Sequence, residues 1–367
     1  MVNGRYVKLT AYFGERQRVG GSARGFLADA ILDLFGSHGV ATSVMMRGIA
    51  SFGPTNVLRT DGSLSLSEDL PVIITAVDTE ERITPLADSI IALTGRGMIT
   101  LERAGLVTSD SDVEALHELD NPAWDAAKLT VYVGRQARIG GQLASYAICD
   151  LMHRYGFAGA TVHLGVDGTA HGERRRARFF AHNVDVPMML IGIGSRTAAA
   201  AVAAELTRLV PDLLLTVERV RLCKRDGELL ARPQTVPPAD AQDRNLWQKL
   251  MIYTAEGTLH DGMPIHREIV SRLLIEKSAR GATSMRGTWG FHGDHRPHGD
   301  SVFRLSRRVP VTTIVVDTPA AIAHSFDLID EVTEQHGLVT CELVPAAVTL
   351  NEVGRPSGET ALARYDY

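Results

Sequence analysis

A glycine near an aromatic residue at the end of an apolar strand can receive a nucleotide. The missing side chain lets backbone N–H groups approach an anion, and the ring can flank a base or ribose. The chain carries this combination as Arg47-Gly48-Ile49-Ala50-Ser51-Phe52-Gly53 and again as Arg286-Gly287-Thr288-Trp289-Gly290-Phe291. The same residues would also serve as a tight turn with a core-packed Phe, and the motif alone does not decide between the two. Directly after the second copy come His292, Asp294, His295, His298 and Asp300. Imidazoles and carboxylates so close together could ligate a divalent metal, although the spacing matches no established zinc pattern. Arg174, Arg175, Arg176 and Arg178 form a third cluster, which could hold a phosphate, dock an acidic partner, or simply be a solvated loop. Nowhere does a nucleophile beside a base, or a pair of carboxylates, recur at one place, so binding is expected rather than catalysis.

The elements that carry these residues recur. Lys8-Leu-Thr-Ala-Tyr12, Lys128-Leu-Thr-Val-Tyr132 and Lys249-Leu-Met-Ile-Tyr253 stand 120 and 121 residues apart. Each has a strand pattern and is followed by glycine (Gly20-Gly21, Gly140-Gly141, Gly262) opening a helical stretch. The series continues through Val40–Gly48, Phe157–Gly165 and Ala279–Gly287, then through Leu70–Asp78, Val186–Gly194 and Val309–Asp317. Each copy closes on a strand holding Thr100 and Glu102, Thr216 and Glu218, or Thr340 and Glu342. Five blocks in one order, three times over, predict three copies of an α+β unit, strand-helix-strand-strand-helix-strand, which is the ferredoxin-like arrangement.

The copies are expected over residues 1–109, 123–223 and 245–347, with linkers at 110–122 and 224–244 and a loosely ordered tail at 348–367. The first helix carries the stripe Phe26, Leu27, Ala30, Ile31, Leu34 and Phe35. The second is predicted to start at Thr84-Pro85 in copy one and Thr318-Pro319 in copy three, and to run from Thr197 to Leu209 in copy two. Strands such as 72–77 are apolar on both sides, so the copies are expected to pack against one another. The long loops 54–65, 172–183 and 293–302 are rich in Gly and charge and are expected to be the most mobile parts.

Composition sets outer limits. The chain has 367 residues, 45% hydrophobic and 22% charged, and 38 Lys and Arg against 43 Asp and Glu give a formal charge of -5. That balance argues against nucleic acid or an anionic membrane as the main partner. Three scattered cysteines make neither a disulfide framework nor a zinc knuckle. With no long apolar run and no export signal in the first thirty positions, a cytoplasmic location is expected.

The stretch Arg47 to Gly53, followed by Leu66-Ser67-Glu68-Asp69-Leu70-Pro71 and an apolar strand ending in Asp78, resembles the family called domain of unknown function 190, a branch of the PII-like (GlnB-like) superfamily. Copy three repeats the pattern, and the resemblance covers about three hundred residues. It implies trimers of ferredoxin-like subunits that bind adenine nucleotides or other small effectors in the clefts between subunits. Three fused copies would then form an intramolecular pseudo-trimer. By the same resemblance Gly95, Arg96 and Gly97 lie where the phosphate-touching loop is placed, although they also read as a helix C-cap. The implied function is non-enzymatic signalling. An effector orders the loops, these bind a partner protein for which a membrane transporter is a candidate, and no cofactor is required. A metal-binding or structural trimer, or an enzyme on this frame, is the alternative. Copy two replaces the Gly-Phe-Gly element by Gly165-Val-Asp-Gly168-Thr-Ala-His171, so unequal clefts and fewer than three sites are expected.

Overall fold

The computed structural model describes residues 6–20, 25–54, 56–61, 69–107, 109, 111–113, 126–175, 186–210, 213–292, 297–299, 309–351 and 356–365. The first repeat consists of β1 (Tyr6–Gly14), α1 (Leu27–Ser37), β2 (Thr42–Phe52), β3 (Arg59–Thr60), β4 (Pro71–Thr79), α2 (Glu80–Leu93) and β5 (Gly97–Val107). The second consists of β6 (Ala126–Gly134), β7 (Arg138–Ile139), β8 (Gln142–Leu143), α3 (Ala144–Arg154), β9 (Gly159–His163), β10 (Asp167–Ala170), β11 (Glu173–Arg174), β12 (Pro187–Ser195), α4 (Arg196–Leu209), β13 (Leu214–Arg225) and β14 (Glu228–Leu229). The third consists of β15 (Trp247–Ala255), β16 (Leu259–His260), β17 (Met263–Pro264), α5 (Ile265–Ile275), β18 (Ala282–Arg286), β19 (Trp289–His292), β20 (His298–Gly299), β21 (Pro310–Asp317), α6 (Pro319–Val332), β22 (Leu338–Val344), β23 (Ala346–Leu350) and β24 (Pro356–Gly358).

Each repeat makes an antiparallel sheet with its first strand inside: β2-β4-β1-β5, then β9-β12-β6-β13, then β18-β21-β15-β22. The two helices cover one face. In repeat one Leu27, Ile31, Phe35, Ile83 and Ile90 are buried there against Leu9, Ile74 and Leu101. The other faces of the three sheets meet in a common core that includes Met46, Ile73, Met189, Ile191, Met251 and Ile314. Strands apolar on both sides are thereby covered on both, as their composition requires.

Backbone pairing joins the repeats in two closed cycles. The end of β5 pairs with the start of β13, the end of β13 with β22, and β23 returns to the start of β5. The first half of β2 pairs with β10, β9 with β19, and β18 with the second half of β2. A third cycle is ionic. Lys8 pairs with Glu102 and Glu218, Lys128 with Glu218 and Glu342, and Lys249 with Glu342 and Glu102. Every member is at most 6% exposed.

Four local expectations are corrected. Helix α2 begins at Glu80 rather than at Thr84-Pro85, so Pro85 lies inside it. Asp78 accepts the Thr79 N–H at 2.7 Å, and Glu80 and Glu81 in the first turn favour a helix start there. The glycines after the first strands shape a small hairpin before the helix, β7–β8 around Gly140-Gly141 and β16–β17 around Gly262. The described part of the tail is built into the fold: β23 extends the sheet of repeat one, and Val348, Leu350, Leu362 and Ala363 are buried. The 224–244 linker is likewise anchored, because Lys224 bonds Asp330 and Val236 is buried. In the three long loops, residues 55, 62–65, 176–183, 293–296 and 300–302 lie outside the described residues.

Candidate functional site

The cycle that places β18 against β2 opens a cleft between repeats one and three, of about 770 Å³ with its mouth included. Repeat one supplies Phe52 and Gly53 at the end of β2 and Arg96 and Gly97 at the start of β5, and repeat three supplies Arg280 and Gly281 ahead of β18. The register fixes this meeting, with Phe52 opposite Ala282 and Met98 opposite Tyr12. Gly97 has φ 142, and a Cβ there would lie 2.3 Å from the Tyr12 carbonyl oxygen, so only glycine lets β5 begin so close to β1. At Gly53 and Gly95 a Cβ would meet nothing within 4 Å.

Arg59, Arg96 and Arg280 give the cleft a cationic lining. Arg280 lies 3.5 Å from Asp317 and stacks over Trp247 at 5.0 Å. Asp69 is the acidic member of the lining, and its Oδ1 accepts the Arg16 N–H at 2.6 Å. Gln17 Nε2 is a buried donor without a hydrogen-bond partner among the described residues. Burial raises the pKa of Tyr12, keeping its phenol protonated. Guanidiniums and a spare amide donor around an apolar floor of Phe52, Ile314 and Val316 suit a ligand with an anionic end and a flat, less polar body.

The other predicted glycines and aromatics serve packing. A Cβ at Gly48 would lie 2.6 Å from Pro71 Cγ and 2.9 Å from the Ser284 carbonyl oxygen. At Gly287 it would meet Thr161 Cγ2 at 2.6 Å, and at Gly290 the Ala160 carbonyl oxygen at 2.3 Å. These glycines let one repeat's backbone approach the next. Phe291 is 2% exposed in the core of repeat two, edge-on to His153 at 5.0 Å. Phe52 is 3% exposed in the core of repeat three, so its ring forms the cleft floor rather than a free stacking face.

The equivalent position between repeats two and one keeps an opening, but Thr169 stands where the first cleft has Phe52, and its lining has Ala170 and Leu213 where the first has Gly53 and Gly97, and Ala41 and Thr42 in place of Arg280 and Gly281. Between repeats three and two the chain itself intrudes. Asp226 donates its N–H to the Gly337 carbonyl at 2.8 Å, and His292 Nδ1 lies 3.8 Å from Asp226 Oδ1. The three inter-repeat positions are therefore chemically distinct.

Of the metal-ligand candidates, Asp294 and His295 lie outside the described residues, as does the side chain of His298. No cluster of three His, Cys, Asp or Glu that could hold a metal occurs among the described residues. The arginine cluster is corrected at its best-described member: Arg174 bonds Asp167 at 2.8 Å, Asp29 at 2.9 Å and Asp33, fastening repeat two to α1 of repeat one. Its charge is already matched. Sequence reading missed Arg280, Gly281, Arg59, Gln17 and Asp69. Two left a trace: Asp69 stands in the motif that carries the family resemblance, and at Arg280-Gly281 the other copies have Ala41-Thr42 and Ala158-Gly159.

The model of the DUF190 family, described as Uncharacterized ACR, matches residues 6–106, 126–222 and 247–346. No helix among the described residues is long and apolar enough to cross a membrane.

Proposed function

The chain belongs to the DUF190 family in three tandem copies, and from that premise we propose that it is a single-chain, PII-like pseudo-trimer of ferredoxin-like repeats. On this reading it senses an adenine nucleotide in the cytoplasm and regulates a partner protein, with a membrane transporter as the candidate. The observation that carries the reading is the convergence of Phe52, Gly53, Arg96 and Gly97 from repeat one on Arg280 and Gly281 from repeat three in one cleft. Two support its parts. The closed cycles of strand and ion pairing are what three subunits around a pseudo-threefold axis require. The arginines provide for phosphates, while the apolar floor provides for a base. The clefts that lack this set leave one effective site per chain.

Equilibrium dialysis against labelled ATP, ADP and AMP tests the proposal. Saturable binding that is lost in Arg96→Ala supports it. Absence of binding by all three nucleotides, or binding unchanged in Arg96→Ala, overturns it.

A further inference from the structure

Bordering the lysine–glutamate ring lies a second, smaller cavity of about 30 Å³. All three ring lysines, Lys8, Lys128 and Lys249, border it together with Thr10, Thr75 and Thr130, and its lining among the described residues contains no carboxylate. Apart from Tyr12, the rest of its wall is methionines and isoleucines such as Met46, Met189 and Ile314. The lysines are 5%, 1% and 3% exposed, in chain order.

An ammonium has three N–H donors and no acceptor. Each ring lysine faces two carboxylates, which leaves it one further donor. Lysines and glutamates balance around the ring, but only the lysines border the cavity, and at short range the nearer charge sets the potential. A water molecule there would accept from at most two lysines while giving its own protons to the threonine hydroxyls, whereas an ion that only accepts could take all three donors. That volume admits a few water-sized spheres at most, which suits a monatomic anion better than phosphate or a carboxylate.

We propose that this cavity is a binding site for one halide ion, held by Lys8, Lys128 and Lys249. Because each repeat contributes one lysine, the ion binds only the assembled chain and stabilises it by mass action. The cavity shares Tyr12 and Ile314 with the inter-repeat cleft but none of its three lysines lines that cleft, so its failure would leave the nucleotide reading untouched.

Crystals grown in sodium bromide and measured at the bromine edge should show one anomalous peak per chain, within hydrogen-bond reach of the three Nζ atoms. Density there without anomalous signal would identify water and overturn the proposal. In solution, at constant ionic strength, replacing gluconate by chloride should raise the melting temperature by about 2 °C per tenfold increase in chloride once the site is filled. Lys128→Met should remove that response. Where that variant does not fold, Thr75→Ile, which fills the cavity and leaves the ring in place, should remove it instead. Equal melting in chloride and gluconate, or an undiminished response in Thr75→Ile, would also overturn the proposal.

Discussion

Lys8, on the first strand of the first repeat, donates to the carboxylate of Glu218 on β13 of the second, 210 positions away along the chain. Glu218 also lies 3.1 Å from Lys128, and the alternation continues through Glu342, Lys249 and Glu102 back to Lys8. The lysine in each copy's opening block and the glutamate in its closing block thus form one object that exists only when all three copies are in place.

Glu218→Gln should lower stability by about 3–5 kcal/mol, because it leaves two buried ammoniums short of a partner. Denaturant titration reads this directly. A loss within about 0.5 kcal/mol would show that the ring does not hold the repeats together.

Stability should fall on mild acidification. Burial pushes His163 and His266 from the ordinary 6.5 down to about 4. Both stay neutral in the fold while the unfolded chain takes up protons, so stability is fully present above about pH 6.5 and declines as pH falls towards 4. Below about 4.5 a second loss begins. Burial alone would raise the pKa of Glu102 and Glu218, but the ring lysines outweigh it and hold both below the usual range, so protonating them costs the fold that stabilisation. The measurement is the denaturation midpoint against pH. His266→Ala, which restores the residue found at position 28 of copy one, should flatten the upper step.

Gly48→Val and Gly165→Val should both destabilise by about 1–3 kcal/mol or more. A Cβ at Gly165 would lie 1.9 Å from the Pro187 carbonyl oxygen, closer than any contact it would make at Gly48. Gly53→Ala and Gly95→Ala, with open space around each, should change stability by less than about 1 kcal/mol. Thermal melts of the four variants check the contrast.

Arg174→Ala should cost about 1–3 kcal/mol, since it strips the buried Asp167 carboxylate of its guanidinium. Arg174→Lys should recover little of this, because one ammonium cannot replace a fork that reaches Asp29, Asp33 and Asp167 at once.

The repeat made much of this fold legible. Lys8, Lys128 and Lys249 stand at the same place in each opening block, and Glu102, Glu218 and Glu342 at the same place in each closing one. Periodicity, however, assigns a residue to a face and not to a partner, so the ring could not be read from it. Thr84-Pro85 misled because Pro at N1 is a preference, while Asp78 and the acidic residues after Thr79 supply a start that Pro85 does not prevent. The tail was misread because Val348 and Leu350 owe their burial to a strand edge of the first repeat, some 250 residues earlier. At the site, Phe52, Gly53, Arg96 and Gly97 were legible as motif residues. The part that Arg280, Gln17 and Asp69 play in the cleft was not, because it follows from how repeat three sits on repeat one.

Calorimetric titration of the intact chain with the nucleotide that binds best tests the central claim, that three fused repeats present one competent cleft. The expected result is one site per chain, lost in Arg96→Ala and in Arg280→Ala while both variants keep the parent's melting temperature to within a few degrees. Three equivalent sites, or full binding in both variants, would contradict the account.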